Sequence, residues 1–130
     1  MKELNFLDSN HFKISDFEHG QGIKEGKLIS TPFMAKSGDM LGIYAYKKQD
    51  GVLKFSDFGN LYWDAFSSVG IKPDITLECN KIQNILNHFG CYRDQDVFFK
   101  EVDKPKLYAT EYEFFRFVQC LINLMYLLYK

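Results

Sequence analysis

The most constraining feature of this chain is its last twenty residues. Phe114, Phe117, Val118, Leu121, Leu124, Met125 and Leu128 recur at the three- and four-residue spacing of one helical face. Phe115, Ile122 and Leu127 add apolar side chains beside that stripe. A helix so broadly apolar needs cover on several sides. Either it lies at the centre of its own domain, or it packs on another subunit. Thr110-Glu111-Tyr112-Glu113 has the spacing of a capping box, which predicts a helix opening at Thr110 and running nearly to Lys130. The apolar stretch from Val118 to Tyr129 is far shorter than the ~20 residues that span a bilayer, so no membrane partner is expected.

Upstream, the period changes to that of strands. Met40 to Lys47 alternates, with Leu41, Ile43 and Ala45 on one face and Tyr44 and Tyr46 on the other. Asp50-Gly51 is hairpin chemistry. Val52 to Asp57 returns as the partner strand, with Leu53 and Phe55 opposite Lys54. Lys27 to Thr31 reads as a short strand stopped by Pro32, since proline cannot donate to a ladder. Residues 27–57 therefore predict an antiparallel meander, apolar on one side and tyrosine-lined on the other. Residues 1–26 show no clean period and end in Gly20, Gly22 and Gly26, read as an extended or short-strand opening and then a glycine-rich turn. Two further helices are expected, over Leu61 to Val69 and Leu77 to Phe89, closed by Gly70 and Gly90 with a linker from Ile71 to Asp74 between them. A further strand is expected over Asp96 to Val102. The expected class is α+β: a small antiparallel β-meander packed against two or three helices, with a long apolar C-terminal helix, in a single domain over residues 1–130.

The chain carries 16 lysines and arginines against 17 aspartates and glutamates, a formal charge of −1. A duplex-binding domain usually has a basic excess, so a protein partner is favoured over nucleic acid. Three cysteines, Cys79, Cys91 and Cys120, do not make a disulfide framework. The N-terminus lacks the apolar core of a secretory signal. A cytoplasmic location is the expectation.

No catalytic centre is legible. Asp39 and Asp57 flank the hairpin, as the acids of a metal-dependent nuclease would, but Asp57 is followed by Phe58-Gly59, so the lysine of an acid-x-Lys pair is missing. Lys54 precedes the acid on its strand. The expectation is that both acids are turn and cap residues. His88 with Cys91 and Cys79 falls short of four zinc ligands. Nothing brings a cysteine to His11, His19 or His88 for nucleophilic catalysis. The expectation is no cofactor and no metal. The aromatic set Tyr44, Tyr46, Tyr62 and Trp63, with Lys47, Lys48 and Lys54, is the candidate binding surface. Aromatics of this kind anchor protein interfaces, and on a sheet they can also stack bases.

One ordered set of short motifs is shared with a known family. Ile29-Ser30-Thr31-Pro32-Phe33, Gly38-Asp39, Ile43-Tyr44, Phe55-Ser56-Asp57-Phe58-Gly59 and Val69-Gly70-Ile71 resemble the bacterial and phage family called domain of unknown function 1828. The resemblance covers roughly residues 27–90. Members often carry Asp-Asp-Gly where this chain has Asp57-Phe58-Gly59, which weakens a metal reading here. The family has no established activity. Its frequency in prophages and mobile elements implies a non-catalytic protein that binds a host or phage protein, such as an inhibitor of a host defence (anti-CRISPR-like) or nucleic-acid-processing complex. Homodimerisation through the last helix is an accessory expectation. The alternative is a metal-dependent nuclease or single-strand nucleic-acid binder using Asp39, Asp57 and Lys54.

Overall fold

A computed structural model describes residues 1–17, 20, 22–34, 38, 40–70, 76–102 and 107–129. Asp39, His19 and the linker of residues 71–74 lie outside these. After a short 3-10 turn (Lys2–Leu4), the elements in chain order are β1 (Lys13–Ser15), β2 (Ile23–Met34), β3 (Met40–Lys48), β4 (Leu53–Ser56), α1 (Asn60–Val69), α2 (Asn80–Phe89), β5 (Tyr92–Asp94), β6 (Val97–Val102) and α3 (Leu107–Leu128). The strands form one six-stranded sheet, ordered β1-β2-β3-β4-β6-β5. Every neighbouring pair is antiparallel. The class is α+β, as the periodicity predicts.

Alternation decides which side of the sheet is buried. Ile29, Ile43, Ala45, Leu53, Phe55 and Phe98 are fully enclosed, and they share one core with residues of all three helices. The α3 stripe read from the sequence, Phe114 through Leu128, is that core's centre. Phe55 meets Phe114 edge-on at 5.4 Å and stacks with Phe117 at 6.5 Å. α3 also contacts α1, α2, β6 and the N-terminal turn. Of the two arrangements open to so apolar a helix, the chain uses the first: α3 is covered by its own domain. Truncating a ring such as Phe114 to alanine costs about 3–5 kcal/mol.

Three expectations need correction. β2 does not begin at Lys27 or stop at Thr31; it runs from Ile23 through Pro32 to Met34. Pro32 is tolerated because the β2–β3 register shifts between Ser30 and Met34. There the Thr31 hydroxyl donates to the Leu41 carbonyl at 2.7 Å and accepts from the Phe33 N–H at 3.3 Å. A side chain thus supplies bonds where the ladder is interrupted. Second, β5 is a strand that the periodicity does not predict; it is only three residues long and mostly exposed. Third, Thr110 is not the N-cap of α3, which begins at Leu107.

Glu113 does something else. Its carboxylate receives Lys100 of β6 at 2.7 Å. The Lys100 ammonium also donates to the carbonyls of Phe89 and Gly90, at 2.6 and 3.0 Å. Lys100 is 3% exposed, so it serves as a buried cap on the C-terminal carbonyls of α2 and ties that helix to β6 and α3.

Candidate functional site

The turn after β4 sets the site. Asp57, 1% exposed, accepts from the N–H groups of Gly59 (2.9 Å), Phe98 (2.9 Å) and Leu61 (3.2 Å). Its own N–H donates to the Phe98 carbonyl at 3.1 Å. One carboxylate therefore caps α1 and pins the end of β4 to β6. Burial pushes its pKa up to about 6, against the opposing pull of the three N–H donors. The Asn60 N–H closes the turn on the Asp57 carbonyl at 3.1 Å. Both central residues have positive φ, 50° at Phe58 and 83° at Gly59. That is the type I′ pattern, which glycine, asparagine and aspartate adopt readily and phenylalanine does not.

The strained position aims the Phe58 ring over the outer side of the sheet. It lies 4.5 Å from Tyr44 and 5.5 Å from Tyr46, and Phe17 closes edge-on against Tyr44 at 5.1 Å. Further along the same side, Lys54 sits 4.5 Å over the Phe99 ring and 3.4 Å from Glu101. Phe99 in turn lies 5.8 Å from Tyr92 at the sheet edge. Tyr46 is nearly enclosed, and burial with the Glu101 carboxylate holds its hydroxyl above the usual tyrosine range. The core shared with the apolar sides of the helices lies on the opposite face, and the start of α1 reaches the rim of this one.

The predicted surface residues divide accordingly. Tyr44, Tyr46 and Lys54 share the outer face, with Lys48 exposed at its end. Lys47 does not belong to it: alternation turns it to the other side, where it pairs with Glu3. Tyr62 and Trp63 are on α1. Tyr62 is half-buried against the core, whereas Trp63 is 52% exposed. Trp63 donates its indole N–H to Asp96, in the β5–β6 turn, and packs edge-on against Phe66 at 5.6 Å. Asp96 borders Gly59, within 3.6 Å of where a Cβ would stand. The helix aromatics and the sheet aromatics are thereby neighbours across one turn. Phe58, Phe66 and Tyr92 are the members sequence reading missed. Phe58 carried a signal, a large ring where Asp-Gly turn chemistry is expected; Phe66 and Tyr92 carried none beyond their type.

Of the constellation for metal chemistry, Asp39 lies outside the described residues. Asp57 is engaged by backbone, and Lys54 lies on the outer face beside Glu101. Among the described residues no group of three or more His, Cys, Asp or Glu side chains could share a metal ion. His88 is exposed, while Cys91 is buried and accepts a hydrogen bond from Cys120, which raises the Cys120 thiol and lowers that of Cys91. No helix among them is long and apolar enough to cross a membrane.

The model of the family described as domain of unknown function DUF1828 matches residues 31–124, most of the chain. No significant match to a curated protein or to a solved structure was found.

Proposed function

The chain belongs to the DUF1828 family, and on that premise we propose that it is a non-catalytic protein-binding domain. The observation that carries this is the aromatic surface spanning the outer sheet face and α1. Phe58, Trp63, Phe66 and Tyr92 are 38, 52, 50 and 59% exposed, although large aromatic side chains in a small domain ordinarily find cover. Aromatic rings with a polar rim are the usual anchors of a protein interface.

The surrounding charges favour protein over nucleic acid. Lys54 is answered by Glu101, and Asp64, Asp94 and Asp96 stand among the exposed rings or at their edge. Carboxylates in such positions repel phosphates, while a protein partner can pair with both signs. The alternative of a single-strand binder has the sheet aromatics in its favour and these acids against it. A cytoplasmic host-defence or nucleic-acid-processing complex as the target is carried by the family resemblance, the surface by the geometry. A homodimer through α3 would have to use Tyr112, Gln119, Asn123 and Tyr126, because the apolar stripe is spent inside the domain.

The test is affinity capture from a host lysate, with and without nuclease. One stoichiometric protein that survives nuclease supports the reading. Nucleic acid alone, with nothing left after digestion, contradicts it.

A further inference from the structure

β3 outlasts β4. The β3–β4 pairing ends at Tyr44↔Ser56, whereas β3 pairs with β2 as far as Gly42↔Ser30 and Met40↔Met34. Within the sheet, then, Met40–Ile43 has a neighbour on one side only among the described residues. The Leu41 carbonyl faces β2, because it accepts the Thr31 hydroxyl. Main-chain groups alternate along a strand, so the N–H and C=O of Gly42 face the other way, to the side that β4 has vacated.

That side is a cleft of about 410 Å³ rather than packed core. The outer-face residues Leu28, Ser30, Gly42 and Tyr44 line it on the sheet side, and Asn60 and Asp64 of α1 on the other. Asp57 reaches it from beneath the turn. The volume lies in the range of ligand sites. No lysine, arginine or histidine lines it among the described residues, and two carboxylates do. The α1 N-terminus does not offset them, because the Leu61 N–H is already held by Asp57. A free strand edge, the apolar Leu28 beside it, and the exposed Asp64 carboxylate with no cation among the described lining residues describe one kind of occupant.

We propose that this cleft accepts an extended basic segment of the partner protein, added as a short strand beside Met40–Ile43 with a lysine or arginine directed to the exposed Asp64 carboxylate. The mode is strand addition: main-chain bonds supply attachment and alternate side chains supply selectivity. Four residues of edge accommodate about 13 Å of extended chain. The inference rests on the protein-binding reading and gives that partner a shape and a charge. Tyr44 joins the two surfaces, since it borders the cleft and underlies Phe58.

The experiment selects random twelve-residue peptides displayed on phage against the immobilised full chain. Affinities of the enriched peptides are then measured by fluorescence anisotropy, and the site is mapped by ¹⁵N amide shifts. The expected result is enrichment of lysine or arginine among β-branched residues, at least tenfold weaker binding to Asp64→Lys, and an intermediate loss with Asp64→Asn. Asp64 is exposed on α1, so neither change disturbs the core. The amides of Gly42 and of residues 60–64 should shift. No enrichment, enriched peptides without a basic residue, affinity within twofold in Asp64→Lys, or an unmoved Gly42 amide each overturns the proposal. The double variant Trp63→Ala/Tyr92→Ser separates the two readings. Sensitivity to that variant but not to Asp64→Lys rejects the cleft and keeps the aromatic surface; the reverse keeps the cleft and rejects the aromatic surface.

Discussion

Phe58 lays its ring 4.5 Å from that of Tyr44 from a backbone position with φ of 50°. The two halves of this relationship oppose each other. A non-glycine residue in the left-handed region costs about 1–2 kcal/mol. Each ring pair returns about 0.5–1.5 kcal/mol beyond burial, and Phe58 makes pairs with Tyr44, Tyr46 and Phe17. Phe58→Gly should therefore leave stability within about 1 kcal/mol of the parent, while stripping the outer face of its covering ring. Phe58→Val keeps the strain and loses the rings, and should cost about 2–3 kcal/mol. Urea denaturation of both variants checks the order.

Asp57 predicts a different pattern. Asp57→Ala orphans three buried N–H groups, at about 1–3 kcal/mol for each one left unsatisfied. The expected loss is at least about 3 kcal/mol, enough to threaten folding of a domain this size. Asp57→Asn retains one acceptor oxygen and sets an amide against the Leu61 N–H, so its loss should be smaller. Denaturant midpoints of the two variants give the comparison.

The same carboxyl has a pH signature. Its folded pKa, about 6, stands above the ordinary 3.8. Between those values the native state keeps a proton that the unfolded chain releases. This group's contribution is therefore greatest below about pH 4 and is lost as pH rises through 6, by up to roughly 3 kcal/mol. Glu3, Asp8 and Asp16 have lowered pKa values and act in the opposite sense. The informative quantity is the difference in stability between the parent and Asp57→Asn from pH 4 to 7, which should move in favour of the variant as pH rises.

Lys100 should be costly to lose alone and less costly to replace together with its partner. Lys100→Ala strands the Glu113 carboxylate and two carbonyls, and removing one member of a buried pair costs about 3–5 kcal/mol. Lys100→Met with Glu113→Leu removes both charges and should recover the share of that loss owed to the stranded carboxylate, the two carbonyls staying unsatisfied. Thermal unfolding of the single and double variants tests the coupling.

Much of this architecture was legible because long periodic segments override local exceptions. The α3 stripe, the β3–β4 hairpin with Gly51 at positive φ, and Gly90 closing α2 all follow from spacing and turn chemistry. β2 was legible only in its middle. Gly26, read as a breaker, is buried in the strand directly across from Tyr46, a pairing in which an aromatic compensates for the missing side chain. Pro32 was read as a stop because the Thr31 hydroxyl's repair of the ladder depends on Leu41, ten residues away. Thr110 and Glu113 satisfied a local capping pattern, but Lys100 claims Glu113 from across the core. For the site, alternation placed Tyr44, Tyr46 and Lys54 together and should have excluded Lys47. Phe66 and Tyr92 become neighbours of that surface only through the Trp63–Asp96 contact. The family-like segments Thr31-Pro32-Phe33 and Ser56-Asp57-Phe58-Gly59 organise backbone at a bulge and a turn.

The central claim is that the exposed aromatic surface is where a protein partner binds. The most direct measurement is calorimetric titration of the captured partner with the parent and with Trp63→Ala/Tyr92→Ser. Both side chains are more than half exposed, so the melting temperature should not change. Interface aromatics of the anchoring kind are worth about 2 kcal/mol or more each, so the account predicts at least a tenfold loss of affinity. Affinity within twofold of the parent would contradict it.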